Sequence, residues 1–200
     1  FPKVLDQNTL NWDALTNSNP QIPEFEAIAQ YLAKIGHLAD NSWGLNATSS
    51  TDKKARKAFQ RLGYTNVPRI EDFSKSKVEE SLSNNSPVYI GGYRKNFDLL
   101  FISIPYKGHA WVIDGTLERE SQTRYYNYNG ELVTTLTNRQ SYFHCNWGWA
   151  GDSNGFFYKD VFNASVGPLF YDNGDYGHPI WTDNTLFYKY DLDIIRNIKP

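Results

Sequence analysis

A thiol becomes a useful nucleophile when an imidazole within hydrogen-bond reach takes its proton, and that imidazole needs a third group to hold its orientation. Two segments of this sequence offer the second and third of these parts. The first is Lys107-Gly108-His109-Ala110-Trp111-Val112-Ile113-Asp114-Gly115. An apolar run after the histidine predicts that His109 opens a strand, at the mouth where a loop meets a sheet, and Gly108 leaves room for a substrate backbone to approach. The second is His144-Cys145-Asn146-Trp147-Gly148-Trp149-Ala150-Gly151, running on to a glycine-led aromatic pair, Gly155-Phe156-Phe157. Together they allow His109 as the base and Asn146 or Trp147 as the orienting or shielding group, since an indole beside the imidazole keeps water off its hydrogen bond.

Other reactive residue types give weaker readings. Cys145 is the single cysteine, so no internal disulfide forms. It neighbours Asn146 on a predicted strand and points to the opposite face, which fits a small buried thiol better than a nucleophile. His144 lies beside Cys145, but neighbours on a strand diverge and no metal-binding spacing accompanies them, so no metal is predicted. Glu118 and Glu120 read as a polar loop with nothing apolar to raise a carboxyl pKa, which argues against a glycosidase pair. His37 suits a helix end, His178 a loop, and Trp12, Trp43 and Trp181 packing.

The elements that must position these residues change character along the chain. Helices are predicted from about Glu24 to Ile35, with Phe25, Ile28, Ala29, Leu32 and Ile35 inward and Gly36 as cap; from Thr51 or Asp52 to Leu62, ended by Gly63; and from Ser76 to Leu82, with Ser76 and Glu79 as a capping box. After Asn85 the pattern turns to strands: Pro87–Ile90, Leu99–Ile104, Ala110–Ile113, Arg124–Tyr128, Leu132–Leu136, Tyr142–Trp147, Gly155–Tyr158 and Thr185–Tyr190. Asn129-Gly130 is a strong hairpin signal. Helices first and strands after predict an α+β domain with an antiparallel sheet, helical over 1–85 and β over 86–200.

Composition narrows the function classes. At 200 residues, 40% hydrophobic and 21% charged, the chain can bury a core and reads as globular. A net charge of −2 without long like-charge runs gives no footprint for nucleic acid or a membrane surface. No apolar stretch reaches the ~18 residues of a membrane span.

The combination Gly108-His109-Ala110-Trp111-Val112-Ile113-Asp114-Gly115 and His144-Cys145-Asn146-Trp147-Gly148-Trp149-Ala150-Gly151 resembles the streptopain family of bacterial cysteine peptidases, peptidase family C10. Asn11-Trp12-Asp13-Ala14-Leu15, the helix from Phe25 to Gly36, Trp43-Gly44 followed by Thr48-Ser49-Ser50, Asp72-Phe73-Ser74-Lys75 and Asn85-Ser86-Pro87-Val88-Tyr89 are similar to family segments in the same order. The resemblance implies a papain-like fold and a secreted or cell-surface cysteine endopeptidase that needs no cofactor and acts on protein or peptide substrates. It implies His109 as general base flanked by Asn146 and Trp147, and a substrate cleft that includes Gly108, Trp149, Trp43 and Gly44.

Departures from the family pattern qualify that implication. The family's nucleophile lies in a Gly-Cys-x-Ala-Thr-Ala type segment upstream of the part matched by Asn11-Trp12, and these residues hold no such segment. The nucleophile is therefore expected in an upstream segment or chain, with an upstream segment or prodomain as partner. A catalytically inactive relative serving as a binding or inhibitory module is the alternative, and a structural or adhesive surface module is a third. Ala150 stands where a second glycine is usual. The stretches Tyr93–Tyr106 and Leu117–Ser141 are longer than expected and flank the histidine strand.

Overall fold

A computed structural model describes residues 4–5, 8–9, 21–44, 48–99, 102–177 and 184–199. The segment Asn11–Leu15, His178 and Trp181 lie outside the described residues. Two compact units divide the chain, residues 1–71 with 195–200 and residues 72–194.

The first unit carries the two-residue ladders β1 (Val4–Leu5) with β2 (Asn8–Thr9) and β3 (Ser42–Trp43) with β4 (Thr48–Ser49), and the helices α1 (Ile22–Leu38) and α2 (Asp52–Arg61). Short ladders thus precede and separate these helices, so the order is not helices alone followed by strands. For α2 the capping signals act as expected: the Thr51 side chain accepts from Lys54 N, and Gly63 takes a φ of +88° just past the end.

In α1 Gly36 is not the cap. The helix runs on to Leu38, and a Cβ on Gly36 would lie 2.4 Å from the Trp43 ring, so close packing of that indole is what the glycine serves. The predicted inward face of α1 is also largely outward, with Phe25 57% and Leu32 59% exposed.

The second unit holds α3 (Lys75–Ser83) and most of a six-stranded sheet. Its strands are β5 (Glu71–Asp72), β6 (Val88–Leu99), β7 (Ile102–Tyr126), β8 (Leu132–Asn146), β9 (Gly155–Tyr158) and β12 (Tyr190–Ile195), in the order β5-β12-β6-β7-β8-β9. Neighbours from β6 to β9 are antiparallel, and β10 (Phe162–Asn163) pairs β11 (Phe187–Tyr188) alongside. The architecture is α+β with a mostly antiparallel sheet. Helix α3 begins two residues earlier than the Ser76 box implies: Ser74 is the N-cap, Ser74 Oγ meets Ser76 Oγ at 3.0 Å, and Glu79 pairs with Lys159 at 2.7 Å instead.

The strands are much longer than the apolar runs that predict them. What reads as three segments, Leu99–Ile104, Ala110–Ile113 and Arg124–Tyr128, belongs mostly to the 25-residue β7. Gly91, Gly92 and Gly108 look like breaks in sequence but sit inside ladders, Gly92 opposite His109 and Gly108 opposite Tyr93. Added Cβ atoms there would come within 2.5 Å of Leu192 Cδ2 and 2.8 Å of the Tyr93 ring, so close packing explains both glycines. One face of the sheet builds the core from Val88, Ile90, Trp111, Ile113, Cys145 and Trp147, with Val78 of α3.

Candidate active site

Strand alternation puts His109, Trp111 and Ile113 on the core face of β7. Trp111 and Ile113 are buried and His109 is partly exposed, well inside the strand and not at its mouth. On the neighbouring strand, Cys145 on the core face of β8 and Trp147 just past its end join the same core. The His109 ring is surrounded by aromatics. Its centroid is 4.7 Å from Trp149 at 34°, 5.7 Å from Tyr188, 6.2 Å from Trp147 and 6.5 Å from Trp111. Trp111 and Trp147 stack at 4.8 Å beneath it.

One hydrogen bond fixes the ring. Nε2 of His109 lies 2.9 Å from the carbonyl oxygen of Trp147. A carbonyl has no proton to give, so Nε2 carries the hydrogen and Nδ1 of the neutral ring holds the free lone pair. Among the described residues Nδ1 has no hydrogen-bond partner. Burial among the rings pushes the His109 pKa below its ordinary 6.5; the carbonyl opposes this and the charge of Arg94 adds to it.

The turn after β8 holds that carbonyl in place. Asn146 Oδ1 accepts from Gly148 N at 3.1 Å, Trp147 N donates to Asn154 Oδ1 at 2.9 Å, and Gly148 takes a φ of +74°. Asn146 itself lies on the opposite face of the sheet from His109. It is exposed and lines a ≈ 230 Å³ pocket with Tyr89, Ala110 and Val112. Its amide therefore reaches His109 through the geometry of the Trp147 carbonyl and makes no hydrogen bond to the ring. Gly108, before the histidine, is taken up by the Tyr93 ring. Trp43, against Gly36, and Gly44 belong to the first unit.

Cys145 is fully buried, and desolvation pushes its thiol pKa far up, which makes it inert as a nucleophile. Ala150 has a φ of +54°, the left-handed region where glycine costs nothing, which accounts for the usual glycine at this place.

His144, on the other face, forms a separate cluster. Its Nδ1 contacts Asp114 Oδ1 and its Nε2 lies 2.7 Å from Asp172 Oδ1. The register shift between Ile113 and Gly115 sets Asp114 in a bulge that turns its carboxylate onto the ring. Glu118 and Glu120, expected in a loop, lie on β7 opposite Ser141 and Arg139.

Sequence reading missed Trp111, Tyr188 and Arg94 as neighbours of His109. Two-residue alternation along 109, 111 and 113 was enough to find Trp111. Arg94 and Tyr188 carry no local signal, because strand pairing alone brings them there.

The profile of the Peptidase C10 family matches residues 2–157. The chain belongs to the peptidase C10 family. Streptopain of Streptococcus pyogenes serotype M28 (strain MGAS6180) is 31% identical over 148 residues, covering 70% of this chain and 29% of the streptopain. Streptopain of Streptococcus pyogenes serotype M1 is 30% identical over the same extent. The thiol protease/hemagglutinin PrtT of Porphyromonas gingivalis is 29% identical over 126 residues, covering 63% of this chain and 10% of that protein. The chain spans less than a third of the length of the streptopains it matches. No solved structure matches it. Among the described residues no helix is long and apolar enough to cross a membrane.

Proposed function

We propose that these residues are the base-bearing part of a secreted or cell-surface bacterial cysteine endopeptidase of papain-like fold. On this reading they form one partial peptidase domain whose thiol is supplied by a segment or chain upstream of them. The observation that carries the proposal is the His109–Trp147 hydrogen bond: a carbonyl on Nε2 leaves Nδ1 as the single site able to take a proton.

In the reaction the thiol S–H bond breaks and its proton moves to Nδ1, leaving a thiolate beside an imidazolium. The thiolate attacks the peptide carbonyl carbon. As the C–N bond breaks, the imidazolium gives its proton to the leaving amine, and an acyl-enzyme forms. Water then attacks the acyl carbon with His109 taking its proton, the C–S bond breaks, the carboxylic acid leaves, and the proton passes from His109 back to the thiolate. Throughout, Nε2–H stays on the Trp147 carbonyl, and the Trp149 ring 4.7 Å away shields the imidazole from bulk water. Asn146 and Trp147 act as positioning residues, and Trp149, against the His109 ring, is assigned to the substrate cleft.

A non-catalytic C10 relative, using the same surface to bind or inhibit, is the competing reading. It is favoured by the burial of Cys145, the one thiol these residues supply. Labelling the full-length natural protein with a thiol-reactive peptidase probe, followed by peptide mapping, separates the two. The peptidase reading predicts label on a cysteine outside these 200 residues, lost in His109→Ala. No label, or label confined to Cys145 and indifferent to His109→Ala, establishes the non-catalytic relative.

A further inference from the structure

Beyond Tyr142, β7 and β8 leave the sheet as a two-stranded arm, paired from Leu117–Tyr142 out to Tyr126–Leu132 and closed by the turn around Asn129-Gly130. Among the described residues neither of its outer edges has a strand partner. In an antiparallel ribbon, alternate residues turn their N–H and C=O groups away from the neighbouring strand, so an open edge is a template for another strand. The two edges are not equivalent. The β7 edge carries Glu118, Arg119, Glu120 and Arg124, the kind of charges that block strand addition. From Leu132 to Asn138 the β8 edge reads Leu-Val-Thr-Thr-Leu-Thr-Asn, with no charge, no proline and no glycine. All of it is exposed, and among the described residues it has no strand partner but β7; β9 covers β8 only from Tyr142 to Cys145.

We propose that this edge pairs with the same segment of a second copy of the chain, antiparallel and about a two-fold axis at Thr135. The flanking charges select this partner and this register. With the axis at Thr135, Glu131 of each copy falls opposite Arg139 of the other, Leu132 opposite Asn138, and Val133 opposite Thr137. Moving the axis by one residue sets Arg139 against Asn129 or Val133 and leaves both charges unmatched. Arg139, already on Glu120 at 2.8 Å, has a side chain 79% exposed, which leaves its remaining donors open to a second carboxylate. The pairing joins two arms into a four-stranded sheet, β7-β8-β8-β7, whose new outer edges are the charged ones. Such an isologous contact closes on itself as a dimer.

The mass of the intact protein in solution, measured across a wide concentration range, tests this. The expected result is a mass that doubles with concentration. Thr135→Lys, which sets two like charges face to face at the axis, and Glu131→Lys, which opposes Arg139, each shift the midpoint at least ~10-fold, while Glu131→Lys combined with Arg139→Glu restores it. Under mild oxidation Thr135→Cys cross-links to itself, because directly opposed residues lie within disulfide range; Thr123→Cys on β7 does not. A protein that stays monomeric throughout, a dimer indifferent to Thr135→Lys, or equal cross-linking of the two cysteine variants overturns the proposal. The result is independent of the peptidase reading.

Discussion

His109 and His144 lie on opposite faces of one sheet, and their surroundings push the same side chain in opposite directions. His109 meets indole and phenol rings and one carbonyl; burial favours the neutral form and lowers its pKa. His144 meets two carboxylates, and its hydrogen bond to Asp114, with a further one to Asp172, raises its pKa above the ordinary 6.5 against the cost of burial. A proton acceptor has to be neutral before it acts, and a structural clamp has to be charged to hold. The difference is the one expected between a base and a brace, and it supports the proposal that His109 is the base.

The largest effect expected from this contrast is on activity. In the full-length protein, His109→Ala lowers kcat/KM by about 10²–10⁴-fold, while His144→Gln leaves it unchanged; equal losses in the two variants break the comparison. Next is the shield. Trp149→Ala exposes the imidazole to water, moves the His109 pKa up towards 6.5 and destabilises the second unit by about 1–2 kcal/mol, read by histidine titration and chemical denaturation.

The clamp comes third, with a sign fixed by linkage. A raised folded pKa means that His144 stabilises fully below 6.5, and this contribution is lost as pH rises through the folded value. The advantage of wild type over His144→Gln is therefore larger at pH 5 than at pH 8. With Asp172 64% exposed, solvent screening holds it to about 0.5–1 kcal/mol. The depressed pKa of His109 acts oppositely, stabilising above 6.5 and losing that effect as pH falls through its folded value. The smallest effect is expected at Ala150, where glycine relieves a φ of +54°: Ala150→Gly raises stability by about 1 kcal/mol in equilibrium unfolding.

What is local was legible in sequence. Alternation placed Cys145 and Asn146 on opposite faces, the Asn129-Gly130 turn marked the hairpin, and Thr51 and Gly63 bounded α2. The rest depends on pairing between distant strands. Glycines that read as strand breaks are sites where Leu192 and Tyr93 pack, so β6 and β7 ran through positions that looked like loops. The long stretch 117–141 is a paired ribbon, invisible to hydrophobic periodicity because most of its side chains are exposed on both faces. The His144 clamp takes one aspartate from a bulge and another from a loop 28 residues away. Asp114-Gly115 hinted at the first, and nothing local marked the second.

The most direct test of the account is a pH titration of the histidine ring nitrogens by NMR, with His109→Gln and His144→Gln supplying the assignments. His109 is expected to be neutral at pH 7 with its hydrogen on Nε2 and to titrate below 6.5, while His144 titrates above 6.5. A His109 that carries its hydrogen on Nδ1, or that titrates above His144, would contradict it.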